Sequence, residues 1–241
     1  GMQHIDRCRC GYSYRPLLEN GVHYLSSCHI LSFTSYRHNA ILPILRRLFA
    51  EIRKVCQEGE TANWLAGSRA KRPFDLCAKS APPDDPEQAA MQEEWYGYDI
   101  GVADPTRIGR LPPGTPYFQR GRASYRMQNR KNSRFRSELR YFGPLLKSVK
   151  FVPLVFEATG GMGPTAAEEF SEWAKEAAQQ VKEHNGGQNY RALGLPHTWN
   201  ALKFANLYSQ MISFSIMKVN ALAIVRAVEE LARAGGAREN G

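Results

Sequence analysis

An α/β fold, with a small mixed β-sheet flanked by helices, is what this sequence of 241 residues predicts. Three observations lead there. Short strand-like runs recur at Phe74–Lys79, Trp95–Val102 and Val149–Glu157. Stretches with helical apolar spacing precede and follow them, around residues 37–52, 165–184 and 198–234. Polar, proline-rich or arginine-rich segments separate the runs. The 43% hydrophobic content suffices for a sizeable core. No apolar run approaches the ~20 residues of a membrane span, so no membrane partner is expected.

Taken in order, the first 35 residues form their own unit. Cys8-Arg-Cys10 is followed by His23-Tyr-Leu-Ser-Ser-Cys28, with Gly11 and Asn20-Gly21 where a knuckle must bend. Two thiolates one residue apart plus an H-x4-C pair can close a tetrahedral Cys3His site around structural zinc. His29 competes as the fourth ligand, and nothing nearby provides a general base. Five cysteines at these spacings suggest no disulfide framework, which points to a reducing compartment. Gly1-Met2-Gln-His-Ile-Asp6 has no apolar segment of a secretory signal. Gly1 before Met2 reads as a remnant of tag removal, so a longer parent protein is expected.

A helix is predicted from Arg37, capped by Ser35, with Ile41, Leu42, Ile44, Leu45, Leu48, Phe49 and Ile52 on its apolar side. Glu51 lies on it, either solvated or turned toward a metal. Residues 57–70 read as a loop or hairpin, and residues 80–94 as an excursion between strands. Past Gly163, Thr165-x-x-Glu168 is a capping-box signal for a helix reaching about His184. A long helical tract follows from about Thr198 to Ala234, broken or turned near Ser213–Ser215, with Leu202, Phe204, Leu207, Met211, Ile212, Ile216, Val219, Leu222, Ile224, Val225, Val228 and Leu231 read as packing. The expected divisions are a zinc knuckle at 1–35, a core at 36–165 and a helical extension at 166–241.

The charge is unevenly spread. The net charge is +9, and between Arg107 and Lys150 twelve Lys/Arg face one acid, Glu138. Six aromatic residues are interleaved there. Arginine forks suit phosphate oxygens and aromatics can stack on bases, so a nucleic acid is the expected partner, gripped by Arg120, Arg122, Arg126, Arg130 and Arg134.

Chemistry enters with the carboxylates. Asp75 sits in the first strand-like run, Asp99 interrupts the second and Glu157 ends the third. A carboxylate inside an apolar strand is costly unless paired or coordinated. Mg²⁺ or Mn²⁺ takes one or two carboxylates plus waters and substrate oxygens, and such ions support phosphodiester hydrolysis at neutral pH. Asp75 and Asp99 are the candidate ligands; salt bridges to the abundant arginines are the alternative. Glu157 reads equally as a further ligand or an arginine partner. The Thr159-Gly-Gly-Met-Gly163 turn lacks the Lys-Ser/Thr of a phosphate loop, and His38 reads as bracing the knuckle against the first helix.

The order of these motifs resembles a known family. Cys-x-Cys…His-x4-Cys is followed by Arg37-His38-Asn39, Arg72-Pro-Phe-Asp75, Tyr98-Asp-Ile-Gly-Val102, Lys131-x-x-Arg134-Phe135 and Phe151-Val-Pro-Leu-Val-Phe156. It resembles the restriction-like endonuclease module of site-specific non-LTR retrotransposons, a branch of the PD-(D/E)XK nucleases, over residues 8–163. In that family the usual lysine is displaced onto a following helix in a K-x-x-K-Y pattern. The resemblance implies a restriction-endonuclease-like core in which Asp75 and Asp99 hold Mg²⁺ or Mn²⁺ and Lys131 is the displaced catalytic lysine. Three departures stand out. Phe74 separates Pro73 from Asp75, the gaps between the three site residues are long, and Arg130 is an equally placed cation. The implied activity is DNA nicking for retrotransposon integration, in an intracellular, nuclear protein. Its partners would be DNA or the element's RNA, and an attached reverse transcriptase. The alternative is a catalytically inactive nuclease-fold module that binds DNA or RNA.

Overall fold

The computed structural model of the protein describes residues 33–58, 74–79, 94–104, 121–142, 149–184 and 201–236. The predicted zinc ligands Cys8, Cys10, His23 and Cys28, the basic Arg120 and the 80–93 excursion lie outside the described residues. Helix α1 (Phe33–Glu51) leads into strand β1 (Val55–Glu58), β2 (Leu76–Lys79) and β3 (Trp95–Ala103). Helix α2 (Arg122–Phe142) then crosses to β4 (Val149–Glu157), and α3 (Pro164–His184) and α4 (Ala201–Gly236) complete the chain.

The four strands form one mixed sheet in the order β1-β2-β3-β4. β1 and β2 are antiparallel, β2 and β3 are antiparallel, and β3 and β4 run parallel from Trp95↔Val149 to Ala103↔Glu157. A parallel pair requires a crossover, and α2 provides it. β2 pairs β3 only as far as Leu76↔Tyr98, so the C-terminal half of β3 has β4 on one side and no β2 partner on the other. That step in the sheet becomes the floor of the candidate site.

Period-two alternation sorts the side chains of β3 and β4 into two layers. Tyr98, Ile100, Val102, Val152, Leu154 and Phe156 face the main core, with Ile41, Leu45, Leu48 and Phe49 of α1. Phe170 and Trp173 of α3 and Phe204, Tyr208, Ile212 and Ile216 of α4 join the same cluster. The C-terminal helices therefore share the core of the sheet. The opposite face packs under α2, where Phe135 stacks on Phe151 at 4.2 Å and meets Phe74 at 5.7 Å. Ala123 and Met127 cover Ala103 and Val155.

Several sequence expectations are corrected. Helix α1 begins at Phe33, so Ser35 is inside it rather than its cap. Residues 55–58 are a strand paired antiparallel with β2, and the remainder of the expected loop or hairpin at 57–70 lies outside the described residues. Asp75 stands just before β2, although its N–H still donates to the Tyr98 carbonyl at 2.9 Å. Pro164 rather than Thr165 opens α3, a position where its missing N–H costs nothing. Helix α4 runs unbroken through Ser213–Ser215. The serines there serve a tertiary bond instead: Ser213 Oγ donates to the Gly160 carbonyl at 2.7 Å. Asn220 Nδ2 does the same to Ala158 at 2.8 Å, tying α4 to the turn after β4.

Trp173 sits 1% exposed at the centre, with ring contacts to Phe49 at 5.0 Å, Phe170 at 5.1 Å and Tyr98 at 5.7 Å. Trp173→Ala should lower the unfolding free energy by about 3–5 kcal/mol, read from the urea midpoint.

Candidate metal and catalytic centre

Asp99 projects from the α2 face of β3, between two glycines at alternate positions. A Cβ on Gly97 would come within 2.5 Å of the Phe74 ring, and one on Gly101 within 2.6 Å of Lys131 Cε and 2.8 Å of Met127 Sδ. The first glycine admits the aromatic ring that closes one side of Asp99. The second leaves the space through which Lys131 descends from α2. Lys131 Nζ donates to Asp99 Oδ1 at 2.5 Å and to the Ile100 carbonyl at 3.0 Å.

Asp75 reaches the same place from the rim where β2 begins. Its Oδ2 accepts from the Ile100 N–H at 2.6 Å and from His38 Nε2 at 2.9 Å. His38 Nδ1 faces Asn39 Oδ1 at 3.1 Å, so both ring nitrogens meet oxygen acceptors, the arrangement an imidazolium satisfies. His38, Asp75 and Asp99 side chains are about a quarter exposed, at 25, 26 and 26%. The centre is thus largely desolvated but open to a ligand.

The electrostatics separate the two carboxylates. Burial raises Asp99, and the neighbouring Asp75 charge adds to this against the opposing pull of Lys131, leaving Asp99 above its usual range. At Asp75, burial also pushes upward, but the His38 hydrogen bond and charge, the Ile100 N–H and Lys131 together hold it below its usual range. The Asp75 hydrogen bond raises His38 despite its partial burial. Two acids forced together with one held above its normal range form a site that a cation would relieve.

The donor set is compatible with a hard divalent ion. Lys131 meets Asp99 through Oδ1, while His38 and the Ile100 N–H meet Asp75 through Oδ2. Among the described residues there is no group of three or more His, Cys, Asp or Glu arranged around a metal. An ion here would therefore rest on two carboxylates and complete its shell with carbonyl, water or phosphate oxygens, as Mg²⁺ or Mn²⁺ does and structural zinc does not.

The structure brings Asp75, Asp99 and Lys131 together and sets the two further carboxylates apart. Glu157 lies in register with Ala103, four residues beyond the Asp99 level of the sheet. It is buried and accepts from Ser124 Oγ at 3.2 Å. Glu51 is at the far end of α1 from His38, paired with Arg47 at 3.2 Å. Neither reaches the centre. His38, read from the sequence as bracing the knuckle, holds Asp75 here; the knuckle itself lies outside the described residues. Its place in Arg37-His38-Asn39 near the start of α1 was the available signal.

Arg122, Arg126, Arg130 and Arg134 recur every four residues along α2, each step advancing about 6 Å. Arg126, Arg130 and Arg134 are exposed. They lie on the opposite side of Lys131 from Gln128, which accepts the Thr165 N–H at 3.3 Å and fixes the other flank of α2 to α3. The arginine flank consequently faces the stepped side of the sheet, where Asp75 stands. Arg130 itself points to solvent, whereas Lys131 enters the centre, which resolves their equivalence in sequence.

Compared with protein-family models, curated proteins and solved structures, the chain gives no match. Among the described residues, no helix is long and apolar enough to cross a membrane.

Two substitutions should move stability in opposite senses. Asp99 is raised in the fold, so its ionised form costs stability at neutral pH; Asp99→Asn should stabilise the metal-free protein there. That gain should vanish as pH falls below the ordinary carboxylate value of 3.8. His38 is also raised, so its contribution is fully present below its ordinary value of 6.5 and lost as pH rises through its folded value. His38→Ala should cost about 1–2 kcal/mol on the acid side and progressively less on the alkaline side, in urea titrations across that range.

Proposed function

We propose that the chain is a Mg²⁺- or Mn²⁺-dependent DNA endonuclease resembling the restriction-like nuclease module of site-specific non-LTR retrotransposons, and that it nicks target DNA. The observation carrying this reading is the Lys131 ammonium, delivered from helix α2 across Gly101 onto Asp99, beside Asp75. A lysine displaced from the strand to the following helix is the arrangement the resemblance implies.

In this reading Asp75 and Asp99 would hold the ion, which would supply an activated water and neutralise charge developing on the phosphate. Lys131 orients the attacking oxygen and adds positive charge beside it. His38 and the Ile100 N–H fix the Asp75 carboxylate in one orientation. The arginine flank of α2 tracks the phosphate backbone, and Tyr125, exposed on the same helix, is available to stack on a base. Zinc binding by the N-terminal cysteines belongs to the same proposal and rests on their spacing with His23; nuclear location and an attached reverse transcriptase rest on the resemblance.

With Mg²⁺ or Mn²⁺, supercoiled plasmid should be converted to open circles by the wild type. Asp75→Ala, Asp99→Ala and Lys131→Ala should each reduce the rate by ~100-fold or more. Gly101→Ala should resemble Lys131→Ala, because the added Cβ displaces a flexible side chain without disturbing backbone. Salt-sensitive DNA binding without cleavage by the wild type would instead indicate an inactive binding module. Cleavage unaffected by all four substitutions would overturn the assignment of the centre.

A further inference from the structure

Helix α4 has two apolar faces, and only one is covered. Phe204, Tyr208, Ile212, Ile216, Val219 and Ala223 are buried on the side toward α1 and α3. On the opposite side, Phe214, Met217, Ala221, Ile224 and Val228 recur at alternating steps of three and four, and Leu231 continues the spacing in sequence. That is a heptad seam, the pattern of a helix that pairs with another helix. Phe214 is 70% exposed, Met217 58%, Ile224 45% and Val228 58%. A helix apolar all round is normally buried all round.

We propose that this seam is a homodimer interface, formed by antiparallel pairing of α4 with α4 of a second copy of the chain. The seam is self-complementary about Ala221. In an antiparallel pair crossing there, Phe214 of one copy falls opposite Val228 of the other, and Met217 opposite Val225 with Ile224 beside it. Ala221 meets its own counterpart, where its small side chain lets the backbones approach. Lys218, the one charged residue between Phe214 and Ile224, falls level with Ile224, so no like charges are brought together. With Leu222 and Val225, 50 and 52% exposed on its flanks, the seam presents roughly 600 Å² of apolar surface, at the top of the range for the largest patch of an ordinary monomer and three-quarters of the ~800 Å² per partner of a standard interface. The symmetry is the isologous two-fold usual for homodimers.

The test reads mass and does not depend on the nuclease proposal. By sedimentation velocity across a concentration series, the full chain should be a dimer, and Ile224→Glu/Val228→Glu should be a monomer with unchanged far-UV circular dichroism. Under mild oxidation Ala221→Cys should give far more covalent dimer than the parent chain. A wild-type chain that stays monomeric throughout, as it would if another segment or partner covered the seam, overturns the proposal. So does a dimer that survives the double substitution, or an Ala221→Cys chain that cross-links no more than its parent.

Discussion

Asp99 stands within a nine-residue strand buried between helical layers, a position where a carboxylate is costly unless something answers its charge. Lys131 answers it from above, and Asp75 sharpens the cost from the side. The local sequence serves that conflict. Gly97 and Gly101 carry no side chain on the Asp99 face, one making room for Phe74 and the other for the lysine. A larger residue at position 101 would collide with Lys131 on its way to Asp99, and one at position 97 would displace the Phe74 ring. A carboxylate held above its normal range next to one held below it is a store of unfavourable interaction, common where a protein is built to receive an ion.

The remainder of the fold holds the three charged groups in register. The parallel β3/β4 pair fixes Asp99, and α2 must cross over the sheet to join those strands, so the crossover itself delivers Lys131. The early end of β2 leaves the rim at which Asp75 and His38 meet Asp99. On the opposite face, α1, α3 and α4 close one apolar core around Trp173, so the strand bearing Asp99 is rigid behind the site. His38, near the start of α1, is the physical link between that helical layer and the carboxylates. The arginine flank of α2 runs along the open side.

What could be read in the sequence was mostly what depends on local period. The strands at Trp95 and Val149 and the apolar stripe of α1 follow from alternation and helical spacing. The grouping of Asp75, Asp99 and Lys131 was anticipated through motif order, not spacing, because the separations between them are long. Glu157 and Glu51 stood as additional candidates, since nothing local distinguishes a carboxylate four residues beyond the site, or one at the wrong end of a helix, from a ligand. Register decides the first and helix length the second. His38 could not be placed because its partner is contributed by a distant rim. The serines of α4 suggested a break, whereas Ser213 bonds to a turn remote in sequence. Leu202, Leu222, Ile224, Val225 and Val228 of α4 suggested packing but are exposed. Apolar spacing reports that a face pairs, not with what.

The central claim is that Asp75 and Asp99 together form a divalent-cation site. The measurement that addresses it most directly is Mn²⁺ titration of the purified protein, followed by electron paramagnetic resonance of the free ion. Wild type should take up one Mn²⁺ that Mg²⁺ displaces, Asp99→Asn should lose that uptake, and Lys131→Ala should retain it. Equal uptake by wild type and Asp99→Asn, or none by wild type, would contradict the account.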